Sequence, residues 1–153
     1  MRRLGSYIYD FLMAIAIYML AGFISFACFG YLFDQQFIAN QGHQHAIDLL
    51  RSSLLLTGVN ELWKIFWVCF FFIYFWCKSG QTIGMRAWRL LLQNQDGTEI
   101  TLPTACKRLL FTLLGLGNLR VLFDRRHKLS LQDKLTNTEV VVLSVAANRA
   151  AMG

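Results

Sequence analysis

Charge is scarce in this sequence. Asp, Glu, Lys and Arg make up 16% of it, against 56% hydrophobic and 14% aromatic residues, which excludes a disordered segment and an ordinary soluble domain. Catalytic signatures are lacking as well. No Ser/His/Asp or Cys/His arrangement and no nucleotide-binding motif occurs, which argues against an enzyme. The four cysteines, Cys28, Cys69, Cys77 and Cys106, show no CxxC spacing, and three of them fall in or against apolar segments where a thiol behaves as a small hydrophobe. Neither a disulfide nor a metal is indicated, and no cofactor is expected. His43 and His45 stand two apart in a polar loop with no third ligand and read as solvated histidines. A formal net charge of +6 invites a nucleic-acid reading. No basic helix or aromatic-and-basic RNA motif supports it, and basic loops flanking apolar spans account for the charge.

What is present is a long run without charge. From Phe11 to Phe33 stand 23 uncharged residues, and at about 1.5 Å of rise each they exceed the roughly 30 Å hydrocarbon core of a bilayer. The run is too long for a typical signal-peptide core and carries Asp10 at its entrance, so it is read as a retained first span. Arg3 precedes Asp10 by seven residues, which puts the two on one helical face about two turns apart. A carboxylate in or near hydrocarbon costs at least about 2–3 kcal/mol, and such groups usually pair with a cation or mark an ion or substrate route.

The second span centres on Ile65 to Cys77, thirteen residues without charge, and the segment 48–56 before it reads as a helix leading in or lying along the interface. Lys64 should snorkel, with Glu61 three residues before it on the same face. Trp63 and Trp67 near one end, and Tyr74 and Trp76 near the other, fit an interfacial belt. Lys78-Ser79-Gly80 stops the helix. Beyond it, the turn cluster Asn94-Gln95-Asp96-Gly97 and the alternation in Thr98 to Leu102 predict a β-hairpin over 88–102. The only proline, Pro103, fits the first turn of a helix capped by Thr101 or Thr104. Thr138 to Val145 is rich in β-branched residues and reads as a strand that could use the hairpin's edge.

The third apolar segment, Leu109 to Phe123, would reach only about 22 Å as a helix, and Gly115, Gly117, Asn118 and Arg120 interrupt it. Loop charges give an independent test. Residues 1–9 carry Arg2 and Arg3; residues 34–61 carry Arg51 against Asp34, Asp48 and Glu61; residues 78–108 carry Lys78, Arg86, Arg89, Lys107 and Arg108. The tail adds Arg125, Arg126, Lys128, Lys134 and Arg149. Both termini are therefore expected in the cytoplasm, with the third segment entering and returning on that side. The reading is an α-helical integral membrane protein with two transmembrane helices, a third short segment that is re-entrant or broken, and a small cytoplasmic β-hairpin or sheet. Residues 1–145 form one membrane domain, and 146–153 a short tail.

Arg3 and Asp10 at the first span, Gly80-Gln81-Thr82-Ile83-Gly84-Met85-Arg86 after the second, Asp124-Arg125-Arg126, and the stretch from Leu131-Gln132-Asp133 to Val141 together resemble the RDD family of small bacterial membrane proteins. The resemblance covers nearly the whole chain. It maps the family's arginine and two aspartates onto Arg3, Asp10 and Asp133. Met85 stands where the family usually has a basic residue, and Thr136-Asn137 where it has small ones. Asn137 still tolerates the left-handed backbone that glycine would supply.

A small cytoplasmic sheet would bring Asp133 to the membrane face among Arg86, Arg108, Arg125 and Arg126, in reach of Arg3, with Asp124 in the same charge network. These arginines have a second reading as ligands of lipid phosphates. The resemblance implies a protein of the bacterial inner membrane that moves ions or small ligands, with cation/proton exchange proposed for some members; Asp10, with Arg3 and Asp133, would then handle a monovalent cation or proton. The alternative is a non-transporting accessory or assembly subunit whose Arg–Asp network is structural. Besides the lipid bilayer, a homo-oligomer or a membrane-protein partner is expected, because so few spans do not readily enclose a route.

Overall fold

The computed structural model describes residues 2–38, 45–113, 133 and 135–150. Helix α1 runs Arg2–Asp34, and α2, Ala46–Ser52, precedes α3, Leu54–Ser79. After them come α4, Ile83–Ala87, strand β1, Leu90–Asn94, and α5, Leu102–Leu113. Strand β2, Thr138–Val142, and α6, Val145–Ala150, complete the order. Two of these helices, α1 and α3, are long and apolar enough to cross a membrane. With 33 and 26 residues they measure about 50 and 39 Å. Many of their large side chains face outward, with Phe11, Met19 and Phe23 between 65% and 70% exposed, an apolar surface of the kind that meets a membrane or a partner.

The chain forms two compact units, Met13–Cys69 and the remainder, Met1–Leu12 with Phe70–Gly153. Within the first, α1 and α3 meet through polar side chains. Tyr18 donates to Glu61 and Lys64 pairs with Glu61 at 2.6 Å, while Ser25 donates to Asn60. Gly22 leaves room for the Lys64 stem, whose Cδ would lie 3.2 Å from an added Cβ. The segment before the second span is a separate helix. Ser53 is extended, with φ −109° and ψ 116°, and its hydroxyl accepts the Leu56 N–H to start α3. Thr57 closes the break by donating to the Leu50 carbonyl at 2.8 Å.

In the second unit, α3 ends at Ser79 because Gly80 turns to φ +63°. A Cβ there would also meet the Leu92 carbonyl at 2.6 Å, while Leu92 N–H donates to Gly80 O at 2.8 Å. The expected hairpin over 88–102 is corrected. The turn forms, with Asp96 accepting from the Thr98 N–H and hydroxyl. Residues 98–101 form no strand, and β1 pairs instead with β2, antiparallel, in the register Leu90 to Val142 and Leu92 to Val140. Ile100 is buried in the core at 4% exposure, as are Leu90, Leu92, Ala105 and Leu109. Fully burying a Leu or Ile contributes about 1.5–3 kcal/mol, which outweighs the benefit of extending an edge. Pro103 lies in the first turn of α5, and Thr101 and Thr104 share a hydroxyl contact of 3.0 Å. Asn137 takes φ +50° just ahead of β2. The expected break at Gly115 to Asn118 and the charges Asp124, Arg125 and Arg126 lie outside the described residues.

Candidate functional site

The first turns of α1 place Arg3, Ser6, Tyr7 and Asp10 at i, i+3, i+4 and i+7, one face of a helix. Ser6 and Asp10 are buried, at 2% and 6% exposure. Asp10 faces the start of α4. Its Oδ1 accepts the Gly84 N–H at 2.9 Å, and its Oδ2 accepts the hydroxyls of Thr82 at 2.6 Å and Ser6 at 3.3 Å. Thr82 is the N-cap of α4, its own oxygen accepting the Met85 N–H at 3.2 Å. The opening N–H groups of a helix have no partner within it; here Thr82 takes one and Asp10, from another helix, takes the next.

This approach requires small residues. A Cβ on Gly84 would lie 2.5 Å from the Ser6 carbonyl and 2.7 Å from Asp10 Oδ1. A Cβ on Gly5, next to Ser6, would collide with the Trp88 indole at 2.3 Å. The segment after the second span is thus shaped to lie directly on α1. It is also held from the other side, where Gln81 donates to Leu90 O at 2.7 Å and to Asn148 Oδ1 at 3.1 Å. Asn148, on α6, in turn donates to the Arg86 carbonyl.

Asp133 forms a second centre. It has no exposed surface, and its two oxygens are divided between two guanidinium groups: Arg3 Nη1 at 3.0 Å on Oδ2 and Arg108 Nη2 at 2.8 Å on Oδ1. Both arginines continue onto β2. Arg3 donates to the Val140 carbonyl at 3.1 Å, and Arg108 to the buried Thr138 hydroxyl. The Arg108 guanidinium also lies 5.8 Å from the centre of the Trp76 ring, within cation–π range. One carboxylate thereby ties α1, α5 and the sheet together. Buried charges of this kind tolerate loss of a partner poorly, at about 3–5 kcal/mol.

Arg3 and Arg108, both expected near Asp133, pair with it; Arg3, which shares a helical face with Asp10, is thereby committed elsewhere, and the hydrogen bonds of Asp10 come from uncharged donors. Arg86, expected near Asp133, lies with its guanidinium 5.8 Å from the Phe75 ring centre. Tyr7, between the two centres on α1, is within electrostatic reach of Arg3, Asp10, Arg108 and Asp133. A cavity of about 290 Å³ lined by Lys78, Gly80, Gln93, Thr98 and Glu99, among others, includes neither aspartate. Sequence reasoning missed Ser6, Thr82, Gly84, Thr138 and Asn148 as members of the site. Ser6 stands four residues before Asp10, and Thr82 precedes α4 as a cap; both signals were available. Asn148 offered none.

No curated protein and no solved structure matches the chain. The model of the RDD family matches residues 1–137, a range that holds Arg3, Asp10, Thr82, Gly84, Arg108 and Asp133. The chain therefore belongs to the RDD family, whose members are small membrane proteins.

Proposed function

We propose that this is a multi-pass protein of the bacterial inner membrane, with both termini in the cytoplasm, that serves as a non-transporting accessory or assembly subunit. Its Arg–Asp constellation is a clamp that fastens a small cytoplasmic unit to the start of α1. One observation carries this reading: all four carboxylate oxygens of Asp10 and Asp133 are engaged by groups of the chain itself, three through hydrogen bonds and Asp133 Oδ1 through its ion pair with Arg108. Two of the donors at Asp10, the Gly84 N–H and the Thr82 hydroxyl, belong to the start of α4, an arrangement suited to an anion held in place. The basic termini and the basic segment 78–108 support the orientation.

A second reading, transport of ions or small ligands with cation/proton exchange at Asp10, is favoured by a specific feature. Asp10 is buried and the structure gives it no cationic partner among the described residues, whereas Asp133 has two. Burial of an uncompensated charge is costly, so a proton or monovalent cation arriving at Asp10 would relieve it. Such a protein would oligomerise or join a partner to enclose a route. Cation-dependent proton flux into vesicles holding the purified protein separates the readings. The accessory reading expects no flux above empty vesicles; a flux that Asp10→Asn abolishes would overturn it in favour of transport.

A further inference from the structure

Three successive aromatic residues near the end of α3 each carry a cation. The Lys78 ammonium lies 5.1 Å from the centre of the Tyr74 ring, the Arg86 guanidinium 5.8 Å from that of Phe75, and the Arg108 guanidinium 5.8 Å from that of Trp76. The three are not equally neutralised. Arg108 is paired with Asp133, whereas Lys78 and Arg86 form no ion pair among the described residues. Glu99 lines a cavity together with Lys78 but does not pair with it. Lys78 is exposed and spends one of its three N–H donors on the Tyr74 hydroxyl, at 2.7 Å. Arg86 is half-buried, and its Nε has no hydrogen-bond partner among the described residues. The rings beneath these two stand edge to face with centres 5.5 Å apart, so two uncompensated cations rest on adjoining supports.

We propose that Lys78 and Arg86 hold the phosphate of an anionic phospholipid at the end of the second span. The site depends on α3 crossing the bilayer, as proposed above. Lys78 is the first charge after the thirteen uncharged residues Ile65 to Cys77, which puts it where hydrocarbon gives way to headgroups; Phe75, three residues earlier, is about 4.5 Å deeper along the helix. Depth selects the ligand. A guanidinium at the edge of the hydrocarbon carries a cost that an anion at the same level removes, and lipid phosphates already lie there, while a soluble anion would have to leave water to reach it. Geometry agrees, because a guanidinium presents its N–H groups as a fork that matches two phosphate oxygens, and a lysine adds a point charge. Charge narrows the class to lipids of net negative charge, since a zwitterionic headgroup brings an ammonium of its own beside the phosphate. Of the arginines read from the sequence as ligands of lipid phosphates, Arg108 is spent on Asp133 and Arg86 remains open.

The test uses the purified full chain in a neutral detergent, titrated with dioleoyl phosphatidylglycerol, dioleoyl phosphatidylcholine or inorganic phosphate while thermal unfolding is followed. Phosphatidylglycerol should raise the unfolding midpoint, and the other two should leave it unchanged. Lys78→Gln and Arg86→Gln should each increase the phosphatidylglycerol concentration needed by about fivefold, the contribution of one basic residue at a lipid surface. Lys107→Gln, which removes an exposed charge of α5, should not. If Arg86→Gln fails to fold, Lys78→Gln, at an exposed position, decides. No response to phosphatidylglycerol, an equal response to phosphatidylcholine, an unchanged response in Lys78→Gln, or an equal loss in Lys107→Gln overturns the site. An equal response to inorganic phosphate overturns the lipid as its ligand. Extraction of membranes with alkaline carbonate keeps the two claims apart: a chain that resists extraction and fails these tests overturns the site alone, and a chain that is extracted overturns the membrane reading and the site with it.

Discussion

The carboxylate of Asp10 on α1 accepts the backbone N–H of Gly84 on α4 at 2.9 Å, so one helix caps another across 74 residues of sequence. The contact explains two residue choices together. Glycine at 84 leaves the space that the carboxylate fills, and aspartate at 10 has the length and the free lone pairs to reach the N–H.

Substituting Gly84→Ala should therefore destabilise the protein by about 1–3 kcal/mol, the usual cost of forcing extra volume into a packed site. Asp10→Asn should cost about 1–3 kcal/mol, because the new amide confronts the Thr82 hydroxyl with another donor. Thermal unfolding in detergent measures both. Gly84→Ala at wild-type stability would mean that α4 does not lie against Ser6 and Asp10.

At Asp133, the losses from removing single members should not add. Arg108→Met alone, or Asp133→Asn alone, should cost about 3–5 kcal/mol, and the double variant less than the sum, because the buried Arg108 no longer faces a neutral partner and only the less buried Arg3 is left without a carboxylate. Additive losses in a double-mutant cycle would show that the two residues act independently.

The loop charges predict which side each loop faces. Single cysteines at the exposed positions His45 and Gln95, in a chain cleared of native thiols, should differ: His45→Cys should react with an impermeant reagent on intact cells, Gln95→Cys only after permeabilisation. Asn148, in the tail, is unsuitable for such labelling because it is buried at 7% exposure. Labelling of Gln95→Cys in intact cells would reverse the orientation.

The turn after β1 should respond to acid. Two hydrogen bonds from Thr98, hydroxyl and N–H, hold the Asp96 carboxyl below its usual pKa. A depressed folded-state pKa means that this stabilisation is complete above the ordinary aspartate range and is lost as pH falls through the lowered value. Following the Asp96 carboxyl by NMR should give a midpoint below that of a free aspartate, and Thr98→Ala should raise it. An unchanged midpoint in Thr98→Ala would remove the turn's hydrogen bonds as the cause.

The two long apolar helices, the stop at Gly80 and the left-handed Asn137 were legible in the sequence because each depends on neighbours in the chain: an apolar run, a residue that ends a helix, a side chain that tolerates positive φ. The Glu61–Lys64 pair was legible for the same reason, being one helical turn apart. The hairpin was misread because alternation in Thr98 to Leu102 records only that those residues suit a strand; Ile100 was claimed by the core, and Leu102 begins α5. Arg3 and Asp10 share a face by helix period, yet period specifies direction and not partner. Asp133, 130 residues from Arg3, takes the guanidinium because the fold brings Arg108 and the β2 edge to the same place.

By itself the sequence determined that this chain has two helices able to cross a bilayer, with basic flanks at one end, since hydropathy and helix rise act locally. Only the tertiary structure decided how the charged residues divide: Asp133 between two arginines, Asp10 against neutral donors. Electrostatic and hydrogen-bond energies depend on distances of a few ångströms between residues far apart in the chain, and folding alone sets those distances.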